Sequence, residues 1–181
     1  MKEAILKVDL DNILYNYRHI KCYYKKNVIA ILKDDAYGLG LIEIAKTLQY
    51  EEGIIIGVSS LEEIIKLRKN DYQKEILYLN VFDEEDLKVI IDNDVSVIVE
   101  NLNQLKLLKN TKIKFHLKFN TGMNRLGLKD QEAIFVYLQY ARENHLNLQN
   151  QVRSLSDSMK VSLMYLTKGL HSSLQAPRGV R

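Results

Sequence analysis

Short β-branched apolar runs recur along this chain at about one strand-plus-helix length, roughly 20–25 residues. They are Val28–Leu32, Ile54–Val58, Ile76–Leu79, Val95–Val99 and Ile113–Phe119. Each is nearly continuous in apolar character, as strands covered on both faces are. The segments between them carry helical spacing. Asp11–Tyr24 places Ile13, Tyr17 and Ile20 on one face. Leu61, Ile64, Ile65 and Arg68 fall at helix spacing behind Ser60, with Glu63 completing a capping box. Asp83–Asn93 predicts a helix with Leu87, Ile90 and Ile91 inward. Asn101–Lys109 predicts one capped by Asn101 and faced by Leu105 and Leu108. Asp130–Asn144 predicts another, with Ile134, Tyr137, Leu138 and Ala141 on one side. Ala4–Val8 reads as a strand ahead of the first unit.

Five successive strand–helix units require a parallel α/β architecture. Periodicity alone leaves an open doubly wound sheet and a barrel both available. A complete eight-unit barrel takes about 250 residues, so five units would be only part of one. The first 150 residues hold all of them. Residues 151–181 differ: five basic side chains (Arg153, Lys160, Lys168, Arg178, Arg181) stand against one acid, Asp157, and the only proline, Pro177, lies there. We therefore expect a barrel portion over 1–150 and an atypical basic, Ser-rich tail over 151–181.

The whole chain of 181 residues has a net charge of +3, too little to argue for nucleic acid. One cysteine, Cys22, excludes a disulfide framework and any multi-cysteine metal site. His19, His116 and His145 share no metal-ligand spacing, so no metal is expected. With no apolar run near the length of a membrane helix and no leader pattern at Met1, a cytoplasmic location without a membrane partner is expected.

Functional groups of parallel α/β proteins gather at the carboxyl ends of strands. The first candidate segment there is Lys33-Asp34-Asp35-Ala36-Tyr37-Gly38-Leu39-Gly40. A lysine at the rim of an apolar interior is desolvated, which favours its neutral and nucleophilic form. Taken alone, a solvated lysine before a Gly-rich turn is the better description of the segment. A Rossmann loop does not, because the third glycine of that fingerprint is missing. The second candidate runs from Lys118 to Gly127, with Lys118 and Arg125 seven residues apart across a turn at Gly122. Arg125 offers planar hydrogen bonds to an oxyanion. A surface turn with two basic residues is the alternative. His116, two positions before Lys118, shares its face and is a candidate supporting group.

In this order and 85 residues apart, the two segments resemble the alanine racemase family, enzymes dependent on pyridoxal 5′-phosphate (PLP). The first family motif, Lys-Ala-Asn/Asp-Ala-Tyr-Gly-His-Gly, is matched by Lys33, Asp35, Ala36, Tyr37, Gly38 and Gly40. The second, Lys-x-Asp-Thr-Gly-Met-x-Arg-Leu-Gly, is matched by Lys118, Thr121, Gly122, Met123, Arg125, Leu126 and Gly127. Val8-Asp9-Leu10-Asp11 and Gly57–Glu63 are similar to weaker family features. The resemblance covers about Ala4 to Asn150.

The resemblance implies the amino-terminal part of a (β/α)8 TIM-type barrel. It implies that Lys33 holds PLP covalently and acts as one of two bases, that Tyr37 donates to the cofactor phosphate, and that Arg125 bonds the ring's phenolic oxygen. Lys118 matches a lysine that some relatives carry carbamylated beside that arginine. The implied reaction interconverts L- and D-alanine by removing and returning the Cα proton, feeding cell-wall peptidoglycan. The second base would come from a partner subunit of a homodimer. Leu39, Asp34 and Asn120 depart from the motifs, standing where the family has a histidine, a small residue and an aspartate. Family members are about twice as long, so the chain is expected to be truncated, and the fragment's own activity is a separate question. A non-catalytic PLP-binding protein and an inactive gene remnant are the other readings.

Overall fold

The computed structural model describes residues 5–120, 124–128 and 131–153. Six parallel strands form one sheet in chain order, β1 (Ile29–Ile31), β2 (Ile55–Val58), β3 (Glu75–Tyr78), β4 (Val95–Val99), β5 (Phe115–Phe119) and β6 (Leu148–Arg153). The sheet curls into a half-barrel. Every pair is parallel, with registers such as Ile31 opposite Gly57, Gly57 opposite Leu77, and Ile98 opposite His116. The five expected strand–helix units are all present.

Helix α1 (Leu10–Tyr24) precedes β1 and buries Ile13, Tyr17 and Ile20, the face its spacing predicts. Asp9 caps it by accepting the N–H of Asn12 at 3.1 Å. After β1 come a short turn, α2 (Lys33–Gly38), and a helix, α3 (Leu41–Leu48). Then α4 (Leu61–Lys69), α5 (Leu87–Asp92), α6 (Leu102–Leu107) and α7 (Gln131–Glu143) alternate with the remaining strands. The main core lies between sheet and helices, where Ile56, Ile76, Val97 and Phe115 from the strands meet Ile64 and Leu105 from the helices, all fully buried. Two-residue alternation turns the other strand face inward. That face carries Ile31, Leu77 and Ile98, and also the polar side chains of Glu75, Ser96, His116 and Lys118.

Three expectations change. Residues 5–9 form no strand; Ile5 and Leu6 are exposed, and Ala4 lies outside the described residues. The helix expected from Asp83 starts only at Leu87, because the Asp83 carboxylate accepts the N–H groups of Glu85 and Asp86 and holds a turn there. Ile90 is buried in α5, but Ile91 is exposed. Finally, the sheet has a sixth strand. Leu148–Arg153 is too polar to read as a buried run, yet it pairs along β5 as far as Arg153 opposite Phe119.

Candidate functional site

Lys33 follows directly on β1, whose ladder is closed by Leu32 donating to the Gly57 carbonyl at 2.8 Å. The four residues after Lys33 are left-handed: φ is +55° at Asp34, +51° at Asp35, +55° at Ala36 and +56° at Tyr37. Left-handed geometry costs an L-residue roughly 1–2 kcal/mol. Four in succession stand only where the surroundings hold them. Here the Ala36 N–H donates to Leu32 (2.9 Å) and the Gly40 N–H to Asp35 (3.0 Å), while the Ala36 methyl is buried. Gly40, at φ +97°, occupies a region closed to other residues and starts α3.

Asp35 is fixed at both ends. Its N–H donates to Glu63 Oε1 at 3.2 Å. Its Oδ1 accepts the Leu41 N–H (3.2 Å) and Lys66 Nζ (2.9 Å). The Lys66 hydrogen bond, with help from the Leu41 N–H, holds this carboxyl below its ordinary value.

The turn sets Lys33 and Tyr37 side by side. Lys33 Nζ lies 5.9 Å from the Tyr37 ring centroid and 3.5 Å from Asp34 Oδ2. The lysine is partly buried, whereas Asp34 and Tyr37 are exposed. Burial and the Asp34 charge push the Tyr37 phenol up, and the Arg125 charge opposes them. Tyr37 is therefore a protonated donor at neutral pH, and Arg125 reaches it electrostatically. The two sequence segments share one end of the sheet.

Lys118 is half-buried near the end of β5. Burial pulls its pKa down, the Arg125 charge adds to this, and Glu100 opposes both. Beyond β5 the chain returns on itself: Leu128 donates to the Lys118 carbonyl (2.8 Å) and Asn120 to the Leu128 carbonyl (2.9 Å). Gly127 sits at φ +108°, and a Cβ there would stand 2.9 Å from the Asn120 nitrogen and the Phe119 carbonyl carbon, so only glycine fits. Its N–H donates to Glu100 Oε2 at 2.8 Å. Asn120 Nδ2 donates to Asn124 Oδ1 (2.9 Å) while its Oδ1 accepts the Asn124 N–H (3.0 Å). Arg125 is exposed on that loop; Thr121, Gly122 and Met123 lie outside the described residues.

His116 is buried on the face of Lys118, as its spacing predicts. Its Nε2 is 3.9 Å from Glu75 Oε1, which accepts Ser96 Oγ at 2.8 Å. The adjacent imidazole, and then the serine hydroxyl, keep the Glu75 carboxyl below its ordinary value. Leu39 packs against the apolar core. Among the described residues no group of three His, Cys, Asp or Glu is placed to hold a metal ion, and no helix is long and apolar enough to cross a membrane. Sequence reasoning missed Glu63 beyond its capping role, and missed Glu100 altogether. Glu100 directly follows the buried run Val95–Val99, and that position was its only signal.

The profile described as "Alanine racemase, N-terminal domain" matches residues 8–164. The chain is 38% identical over 156 residues to an alanine racemase of Fusobacterium nucleatum, covering 84% of this chain and 44% of that protein. It is 35% identical over 132 residues to one from Aquifex pyrophilus, covering 72% and 39%. The crystal structure of alanine racemase from Oenococcus oeni superposes with a TM-score of 0.73 at 29% identity, over 96% of this chain and 48% of that one. The chain thus spans less than half the length of these relatives.

Proposed function

The chain belongs to the alanine racemase family, and from that premise we propose that it carries the PLP-holding half of an amino-acid racemase acting on alanine. One observation carries the reading. The left-handed turn sets Lys33 Nζ 5.9 Å from the Tyr37 ring, at a strand end where the charge of Arg125 is felt by both Tyr37 and Lys118.

The residues fit the cofactor. Lys33 is only partly buried, so an aldehyde can reach its amine. Tyr37 keeps its hydroxyl proton for a phosphate oxygen, and the exposed guanidinium of Arg125 suits the ring's phenolic oxygen. When bound, PLP supplies an electron sink that makes the Cα proton of an amino acid labile. Lys33 Nζ takes or returns that proton on one face. Inversion needs a second base on the opposite face, which we assign to a partner subunit in a homodimer of the whole protein.

Lys118 is suited to carbamylation. The lowered pKa enlarges the neutral fraction of its amine, which adds to carbon dioxide and releases one proton to water. The resulting carboxylate would steady Arg125. D-alanine formed by the whole protein would supply peptidoglycan. A cytoplasmic setting belongs to the same proposal, supported by the free and exposed thiol of Cys22. So does a division into a barrel portion and a basic, Ser-rich tail, supported by the change in composition after residue 150, although β6 carries the sheet across that point to Arg153.

The test is an absorbance spectrum of the chain with added PLP, then borohydride reduction and peptide mapping, with Lys33→Ala as control. A band fixed to Lys33 and lost in the variant supports the reading. Label scattered over surface lysines, or no band, refutes it. A fixed band in a whole protein that racemises no amino acid would leave cofactor binding without catalysis.

A further inference from the structure

One carboxylate reaches three backbone N–H groups on two different loops. Glu63 Oε2 accepts from Ser59 (3.0 Å) and Ser60 (3.2 Å), and Glu63 Oε1 accepts from Asp35 (3.2 Å). A capping box needs only the contact to the cap residue, here Ser60. The contact to Asp35 serves no purpose for α4. It ends in the middle of the left-handed turn, 28 residues earlier in the chain.

A second residue of the same helix reaches the same point. Lys66 is three positions after Glu63, on the same side of α4, and its Nζ donates to Asp35 Oδ1. Thus α4 takes hold of Asp35 by its N–H and by its carboxylate. The remaining bonds of the turn run to nearby residues, Ala36 to Leu32, Leu39 to Ala36, Gly40 to Asp35 and Leu41 to Asp35. Local bonds of this kind close a turn of either hand. The two contacts from α4 fix where Asp35 stands relative to β2 and the rest of the sheet.

We propose that Glu63 is a positioning residue for Lys33, holding the left-handed turn so that the Lys33 amine and the Tyr37 hydroxyl face one ligand. For what that amine meets, the inference rests on the cofactor reading above; for the turn itself it stands alone.

The test compares Glu63→Ala with Ser60→Ala in the full chain. Ser60→Ala removes the Ser60 Oγ contact to the Glu63 N–H (3.2 Å) and weakens the cap without touching Asp35. Amide hydrogen exchange over residues 34–41 is measured without PLP, and PLP affinity is measured through the Lys33 absorbance band. Glu63→Ala is expected to speed exchange at Asp35 and to weaken PLP binding about tenfold, the scale of one charge-assisted hydrogen bond. Ser60→Ala is expected to lower thermal stability while leaving both readings near wild type. Equal effects of the two variants would reduce Glu63 to a helix cap and overturn the proposal, as would unchanged exchange in Glu63→Ala. If Glu63→Ala does not fold, Glu63→Asp keeps the charge at the helix start but is one methylene too short to reach Asp35, and the same two outcomes decide. If the wild-type chain takes no PLP at Lys33, the cofactor reading fails, while the exchange data still judge Glu63.

Discussion

The carboxylate of Glu100 accepts the backbone N–H of Gly127 at 2.8 Å, tying the end of β4 to the loop that carries Arg125. The loop is thereby fixed from a strand other than its own. Gly127 cannot be replaced without moving backbone atoms of Phe119 and Asn120. Gly127→Ala is expected to lower the stability to urea by about 2 kcal/mol and to weaken any ligand held by Arg125, read as a fall in PLP affinity.

Lys118 gives a pH signature. Its folded pKa lies below the ordinary lysine value of 10.5, mainly through burial. Between those two values the unfolded chain binds more protons than the folded one, so this group makes stability rise with pH. Lys118→Met is expected to be more stable than wild type at neutral pH, with the gap in urea midpoint closing as pH approaches 10. Glu100→Gln removes the charge that favours protonated Lys118. The acetylation rate of Lys118, followed by mass spectrometry against pH, should then rise at a lower pH than in wild type.

Arg68 is a structural clamp. Its guanidinium donates to four carbonyls, those of Tyr72 (2.6 Å), Asn93 (2.9 Å), Lys74 (2.9 Å) and Asp94 (3.2 Å). These belong to the loops entering β3 and β4. An ammonium keeps the charge but cannot span all four acceptors. Arg68→Lys is expected to cost about 3 kcal/mol in urea unfolding, with PLP affinity unchanged.

Glu75, partly buried on the inner face, contributes to behaviour in acid. The Glu75 carboxyl is depressed in the folded state, first by His116 and then by Ser96. Its contribution is therefore present above the ordinary glutamate pKa of 4.5 and disappears as pH falls through the lower folded value. Ser96→Ala is expected to lose about 1 kcal/mol at pH 7. The deficit should shrink as pH falls below 4.5, which equilibrium unfolding at graded pH would show.

Much of the fold could be read in the sequence because its strands are covered on both faces. Val95–Val99 is buried at all five positions and reads as an unbroken run. The α1 face and the Ser60–Glu63 box were equally legible, since both depend on neighbours within one turn of helix. β6 was not, because Leu148-Gln149-Asn150-Gln151-Val152-Arg153 carries four polar residues and owes its strand form to pairing with β5. Nor was the non-strand Ile5–Val8, whose apolar pattern has no strand to pair with among the described residues.

The site divides in the same way. Lys33, Tyr37, Lys118 and Arg125 were picked out from their motifs as candidates, and the structure gathers them at one end of the sheet. The hand of the turn after Lys33 was not legible, because nothing in Asp34-Asp35-Ala36-Tyr37 favours a left-handed backbone strongly. The ties from α4 to Asp35, through Glu63 and Lys66, are tertiary contacts that no local pattern records.

Strand order equal to chain order bears on how the molecule is made. Each strand finds its partner in the unit just before it, 18–26 residues back for β2 to β5 and 33–34 back for β6. With translation running at roughly 5–20 residues per second, a new edge waits only seconds for the strand that covers it. The sheet can therefore grow on the ribosome one unit at a time, and the Lys33 turn acquires its brace from α4 long before β5 delivers Lys118.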